Sequence, residues 1–566
     1  MATAPGTRLP QLYKSRSGNF IAVIQFLMPA VFSRRRTLKY LPALLIALVT
    51  LLPVVVVLSS LLQPAGDVWQ HLIDNVLAEL VRNTVWLMLG VGICSGLLGV
   101  SLAWLTAACD FPGRRIFSWA MMLPLAMPNY VLAFTLIGLL EFTGPLQTWL
   151  RSIGDIGWFP NIRSRGGVIL VMSLALYPYV YLLCRNAFLT QGRRLLEVAQ
   201  SLGYSPRRGF WQLALPMAHP WIVGGISLVL METLADFGTV ATFNYDTFTT
   251  GIYKAWYSMF SLPAASQLAS LLLLLALGLM LAELRLRQGR QYSAAGRGDP
   301  ALPLQLHGWR AWAASGWCLL ILSAAFLVPL TQLLIWAWQV AAADLDQRYL
   351  KFVFHSLLLA SLAALLITAA SLILAYLARH NRHWGVVLLT RLATLGYAVP
   401  GAVLAVGAFI PVAWIDNLLI DFLRPWLSNP PTQIIKGTLF AMLVAYMARF
   451  LAVGYQPVEA GLQRITANQE YAARSLGASG FNLLRRLHLP MLRGGLLTGL
   501  LLVFVDVMKE MPITLMTRPF GWDTLAIRVF EMTSEGEWQR AALPSVALVL
   551  VGLLPVILLM RNSEKS

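Results

Sequence analysis

Apolar residues run through this chain in long stretches, each about the length of a helix that crosses a lipid bilayer. A bilayer core takes roughly 20 mainly apolar residues per spanning helix. Such stretches fall near 40–62, 84–108, 116–140, 166–189, 221–241 and 262–284. A second set falls near 314–338, 355–378, 386–410, 434–455, 492–514 and 541–560. The pattern predicts an all-α integral membrane protein of about 12 transmembrane helices. The run IAVIQFLMPAVF (21–32) is too short to span and reads as an interfacial or packed N-terminal piece. No small-residue cleavage site follows it, so no cleavable leader is expected.

The polar interruptions sort the stretches into two sets of six, parted by LRLRQGRQYSAAGRGDPALPLQLHGW (284–309), rich in Gly, Pro and Arg. The expected organisation is a cytoplasmic N-terminal segment (1–39), a first membrane unit (40–284), a cytoplasmic linker (285–313) and a second membrane unit (314–566). NTVWLMLGVGICSGLLGVSLAWL (83–105) aligns without gaps on HSLLLASLAALLITAASLILAYL (355–377). With the same offset LPLAMPNYVLA (123–133) falls on LGYAVPGAVLA (395–405), which sets Pro128 against Pro400. Apolar helices share residues by chance, but chance does not hold one offset over so long a run. The halves read as duplicated six-helix units of like orientation, a common transporter plan.

Composition agrees: 58% of residues are hydrophobic and only 12% charged, where a soluble domain averages about 25% charged. The net charge of +18 points to topology before it points to a polyanion, because Lys and Arg are retained on the cytoplasmic face. With Arg34, Arg35, Arg36 and Lys39 cytoplasmic and an even number of spans, both termini are cytoplasmic. The remaining basic residues are spread over many loops, so no nucleic-acid partner is expected. Cys94, Cys109, Cys184 and Cys318 lie in or beside spans without metal-ligand spacing and read as small packing residues.

One polar segment occurs twice, EVAQSLGYSPRRGFWQLALP (197–216) and YAARSLGASGFNLLRRLHLP (471–490), each after the fourth stretch of its half. In the first copy Leu195, Leu196, Ala199 and Leu202 keep helical spacing and Gly203 ends the helix, as glycine does past a helix terminus. Ser205 then caps a second helix with Pro206 at its first position, and Leu215-Pro216 stops it. In the second copy Ala472, Ala473 and Leu476 precede Gly477, Ser479 is the cap, Phe481, Leu484 and Leu487 form the stripe, and Leu489-Pro490 closes. A basic amphipathic helix on the lipid surface explains one such segment. Two at matched places, with the same punctuation, fit better as hooks presenting apolar anchors to a partner protein.

The E-V-A-Q-S-L-G run followed by L-P resembles the E-A-A-x-x-x-G signature of ATP-binding-cassette importer permeases. The resemblance covers nearly the whole chain as two fused halves. It places Glu197, Ala199, Gly203 and Pro216, and in the second copy Ala472, Ala473, Gly477 and Pro490, on coupling loops that dock ATPase subunits. There Tyr471 holds the glutamate position and Glu470 sits one residue early, about 100° around the helix, so the two contacts are expected to differ. METLADFGTVATF (231–243) and TFTTGIYKAWYSM (247–259) are similar to the ferric-iron importer branch, with thiamine and polyamine permeases as alternatives. The resemblance implies two ATP-binding-cassette ATPase subunits, a periplasmic substrate-binding protein and a lipid setting in the bacterial inner membrane. It also implies no cofactor bound by this chain, ATP-Mg being held by the partner subunits, and no catalytic residue.

No G-x-x-x-x-G-K-[ST] loop occurs, so the energy comes from a partner or an ion gradient. The second choice is a major-facilitator-type secondary transporter, and CDFPGRR (109–115) resembles part of that class's loop signature. A tight turn at Pro112-Gly113 explains the same residues, and the matching ARHNRHWG (378–385) lacks the pattern.

Four acids recur within the apolar stretches: Glu232 and Asp236, matched by Asp506 and Glu510, with Lys509 beside the latter pair. A charge at a helix centre costs roughly 2.5–3.5 kcal/mol on insertion scales, so each needs a reason. They serve either as paired, structural groups or as an acidic ring along a cation pathway. The pattern names no metal-ligand set.

Overall fold

The computed structural model describes residues 34–64, 66–154, 160–192, 203–287, 304–380, 384–426 and 431–563. The first half holds α1 (Arg34–Ser59), α2 (Leu77–Ala108), α3 (Asn129–Leu140, continued by Pro145–Ile153), α4 (Arg165–Ala187), α5 (Leu215–Ala235) and α6 (Leu262–Arg287). The second holds α7 (Trp309–Asp344), α8 (Gln347–His380), α9 (Gly401–Leu423), α10 (Phe440–Gln463), α11 (Leu489–Lys509) and α12 (Trp538–Ser563). Among the described residues 11 helices are long and apolar enough to cross a membrane. The exception is α10, long enough at 24 residues but made more polar by Arg449, Gln456 and Glu459.

Two pairs of helices are broken where the sequence suggested continuous spans. The stretch 116–140 is a short helix (Arg114–Ala120), a 3-10 turn (Leu123–Ala126) and then α3. Its counterpart 386–410 is Trp384–Ala393, a 3-10 turn (Thr394–Ala398) and then α9. The cause is the matched proline: Met127 and Val399, which precede Pro128 and Pro400, are extended, as a residue before proline prefers. Likewise 221–241 ends as a helix at Ala235, and 492–514 at Lys509. Asp236 and Glu510 are extended, and the short helices Gly238–Thr242 and Pro512–Thr517 follow. Asp236 and Glu510 therefore sit at helix breaks, just past the ends of the helices that carry Glu232 and Asp506.

Backbone breaks at membrane depth need internal partners, because lipid offers none. Here residues of all four breaks line one cavity, and side chains serve the freed groups. The helices around them pack through small residues, the usual means in lipid. Gly225 of α5 lies against Val180 of α4, and Gly499 of α11 against Gly454 of α10, one contact made twice. The first helix of each half crosses to the other. Helix α1 packs on α9, α10 and Trp384–Ala393, and α7 touches α3 and Arg114–Ala120.

A two-stranded parallel ladder pairs Cys109 with Leu304 and Asp110 with Gln305. Ser315 Oγ adds a bond to the Pro112 carbonyl (2.7 Å). This end of the linker is thereby tied to the turn after α2. Arg114 donates to the carbonyls of Thr106 (3.1 Å) and Ala107 (3.3 Å) at the end of α2, a favourable place for a cation. That role accounts for CDFPGRR without a facilitator loop.

Candidate functional site

The broken helices enclose a cavity of about 290 Å³ whose walls include Glu232, Asp236, Asp506 and Glu510, two from each half. Asp236 takes up the amides freed by its own break: Oδ2 accepts from the Thr239 and Val240 N–H groups (3.0 and 3.2 Å), and Oδ1 from Thr239 Oγ1 (2.9 Å). Glu510 does the same at the same spacing in the second half, accepting from Ile513 N (3.1 Å) and Thr514 N (3.2 Å). Both are helix caps set at membrane depth, which explains their recurrence.

The other pair is less engaged. Glu232 Oε1 accepts a bond from Tyr397 Oη of the opposite half (3.4 Å), and Asp506 borders the cavity one turn before Lys509. Lys509 makes no contact ion pair with Asp506: its Nζ donates to the Leu125 carbonyl, again across the halves (3.0 Å). The cation that does pair with an acid is Arg449 of α10, 3.6 Å from Glu510 Oε1. Among the described residues no three His, Cys, Asp or Glu converge on a point where a metal ion could be held. The four acids share a cavity without forming a resident metal site.

Glu197 and Ala199 of the first hook, with Leu195, Leu196 and Leu202, lie outside the described residues. Gly203 is described and adopts φ +78°, and Gly477 adopts φ +83°, the left-handed conformation that glycine alone takes freely. Ser205 Oγ accepts from Arg208 N (3.4 Å), whereas Asn482 N bonds to the Ser479 carbonyl (3.0 Å). The Leu-Pro pairs do not stop the chain. A π-turn precedes each, Phe210–Ala214 and Leu484–His488, and the helix runs on through Pro216 and Pro490. Proline is tolerated in a first turn because its missing N–H is spared there, and the wider π-turn delivers Leu215 N to Phe210 O and Leu489 N to Leu484 O.

In the second hook, helix Ala467–Ser475 carries Ala472 and Ala473 and ends at Leu476, which is 88% exposed; Tyr471 is 64% exposed. Trp211 is the exposed aromatic of the first hook, while Phe210 packs on Trp104 (centroids 4.5 Å apart). Glu470 points inward. Its Oε1 accepts from Arg379 Nε (2.9 Å) and Nη2 (2.7 Å) and lies 3.2 Å from His488 Nε2. Burial raises the Glu470 carboxyl, but the hydrogen bonds and charge of Arg379, with His488 behind them, outweigh it and hold it below the ordinary carboxylate value. Glu470 is thus a clamp within the protein and not a contact offered outward.

Sequence reasoning missed Arg449, Tyr397, Arg379 and His488. The signal for Arg449 was present: it is the one charge in FAMLVAYMARFLAVG (440–454), and an intramembrane ionisable residue marks a functional region. Nothing in the sequence joins Arg379 to Glu470, which meet only through the packing of α8 against the hook.

Residues 95–286 and 367–565 each match the binding-protein-dependent transport system inner membrane component family. The chain belongs to this family. It is the permease of an ATP-binding-cassette importer, a multi-pass inner-membrane transport subunit and not an enzyme. The permease is 29% identical over 495 residues to the Fe(3+)-transport system permease protein FbpB 2 of Haemophilus influenzae, covering 86% of this chain and 91% of that relative. It is 26% identical to the sulfate transport system permease protein CysT of Escherichia coli, over 42% of this chain and 86% of the relative. It is 35% identical to the putative 2-aminoethylphosphonate transport system permease protein PhnV of Salmonella typhimurium, over 24% of this chain and 52% of the relative. Family membership implies ATPase and substrate-binding partners.

Proposed function

We infer that this permease carries ferric iron inward across the bacterial inner membrane. The observation behind this reading is the extent of the match: the iron-transport relative is covered over 91% of its length by 86% of this chain. The sulfate and phosphonate relatives match 42% and 24% of it. The cavity supports a cation as cargo, since carboxylate oxygens suit a hard ion, and four acids there outnumber two bases.

Two ATPase subunits dock on the hooks around Gly203 and Gly477, with Tyr471, Leu476 and Trp211 as apolar anchors, and a periplasmic binding protein delivers the ion at the opposite end. The hooks, the linker and both termini face the cytoplasm, in line with the basic N-terminal segment. ATP-Mg is held by the partners, and this chain carries no cofactor. An uptake panel of labelled ferric iron, thiamine and polyamine, in cells with and without the chain, tests the cargo. Iron uptake alone is expected to depend on the permease. Chain-dependent uptake of thiamine or polyamine, with iron unaffected, overturns the iron reading. Uptake that needs a proton gradient and no ATPase subunit overturns the importer reading itself.

A further inference from the structure

We propose that Lys509 is the positioning residue of the transport barrier, an ammonium latch that holds the two halves together beside the cavity. Lys509 ends α11 in the second half, yet its Nζ donates to the Leu125 carbonyl in the first-half turn Leu123–Ala126 (3.0 Å). The crossing is built into the surroundings. Gly552 of α12 leaves room for it, since a Cβ there would collide with the Ala126 carbonyl and stand 2.7 Å from Lys509 Nζ. Tyr130 Oη, also of the first half, donates back to the Lys509 carbonyl (3.4 Å).

The matched position on the other side shows that this is a device and not a stray contact. In the register that pairs Pro128 with Pro400, Leu125 corresponds to Tyr397. Tyr397 lies in the second-half turn Thr394–Ala398, and its hydroxyl is bonded to Glu232 of α5 (3.4 Å). Each broken-helix turn is therefore caught by the helix that leads out of the opposite hook. The two catches are unequal. One is a charged donor at 3.0 Å, the other a phenol at 3.4 Å, and the first-half counterpart of Lys509 is Ala235. The Lys509 bond is the shorter, at a normal hydrogen-bond length, while the phenol's is stretched, so the Lys509 catch dominates. Rocking of the halves between outward and inward states has to release it. Asp506, one turn back on the same helix and beside the same cavity, receives the ammonium once Leu125 moves away.

The latch rests on the reading of the chain as an alternating-access permease, and its test uses neither iron nor ATPase subunits, so the two can fail separately. The full chain is placed in lipid nanodiscs with its four native cysteines replaced by alanine and A235C as the reporter, since Ala235 lines the cavity. A membrane-impermeant maleimide then reads how open the barrier is. K509M is expected to raise the modification rate by about tenfold, the shift that losing one charged hydrogen bond gives. K509R is expected to restore the slow rate, and Y397F to raise it by a smaller factor. A monodisperse K509M protein with the parent rate overturns the latch. So does a K509R protein as reactive as K509M, which would show that bulk and not charge is at issue. Should K509M not fold, Y397F carries the test, and an unchanged rate there overturns the paired-catch arrangement.

Discussion

In the second half Arg449 pairs with Glu510, Lys509 reaches the Leu125 carbonyl, and Arg379 clamps Glu470. At the matched positions the first half carries Ala175, Ala235 and Ala107. The backbone devices, by contrast, are duplicated: a break before each proline, a carboxylate cap after α5 and α11, a π-turn ahead of each Leu-Pro, and a left-handed glycine in each hook. Lipid enforces that difference. A freed amide inside a bilayer has to be bonded whichever half it lies in, so the caps and breaks are retained in both copies. Buried cations have no such obligation. They are expensive, and these three have no counterpart cation at the matched first-half positions.

The largest test of this inequality lies at the caps. E510A leaves the Arg449 guanidinium buried without its partner and is expected to cost about 3–5 kcal/mol. D236A removes a cap alone, about 1–2 kcal/mol. Adding R449A to E510A is expected to recover part of the loss. Thermal unfolding in detergent measures all three, and equal shifts for E510A and D236A would erase the distinction between the halves.

A smaller effect is expected at the hook. R379A removes the bonds that hold Glu470 and should loosen helix Ala467–Ser475 by about 1–2 kcal/mol, since the pair is only partly buried. Amide exchange should rise there while residues 206–214 keep their wild-type rates. Faster exchange in both hooks would mean that the clamp is not local.

The smallest effect is with pH. Glu470 titrates below the ordinary carboxylate value in the folded protein. Its contribution is therefore complete above the unfolded value of 4.5 and is lost only as pH falls through the lower folded one. Exchange of the second hook, corrected for the intrinsic pH dependence, should stay flat from pH 8 to about 5. A midpoint near neutrality would assign the clamp to another group.

Much of the frame was legible because apolar length and repeat offset are local signals. The spans, the paired halves, the hooks and the four recurring acids were all read that way. What stayed hidden depended on where chains meet. Pro128 and Pro400 were matched in the sequence, but that they split their helices around one cavity follows from the packing of both breaks together. For Asp236 and Glu510 the sequence left a structural and a pathway role open, and the amides just beyond them, which take up their oxygens, appear only in the fold. Glu470 was placed on the docking surface, and Arg379, far along the chain, turns it inward. The crossing of α1 and α7 onto the opposite halves left no mark in hydropathy.

In the proposed importer each hook holds one ATPase subunit through a turn that only glycine forms easily, and native mass spectrometry of the complex purified from membranes tests this proposal most directly. The wild-type permease is expected to carry two copies of the ATPase subunit, and G203V with G477V none, since a β-branched residue cannot settle at φ +78° or +83°. A folded double variant that still carries two copies would contradict it.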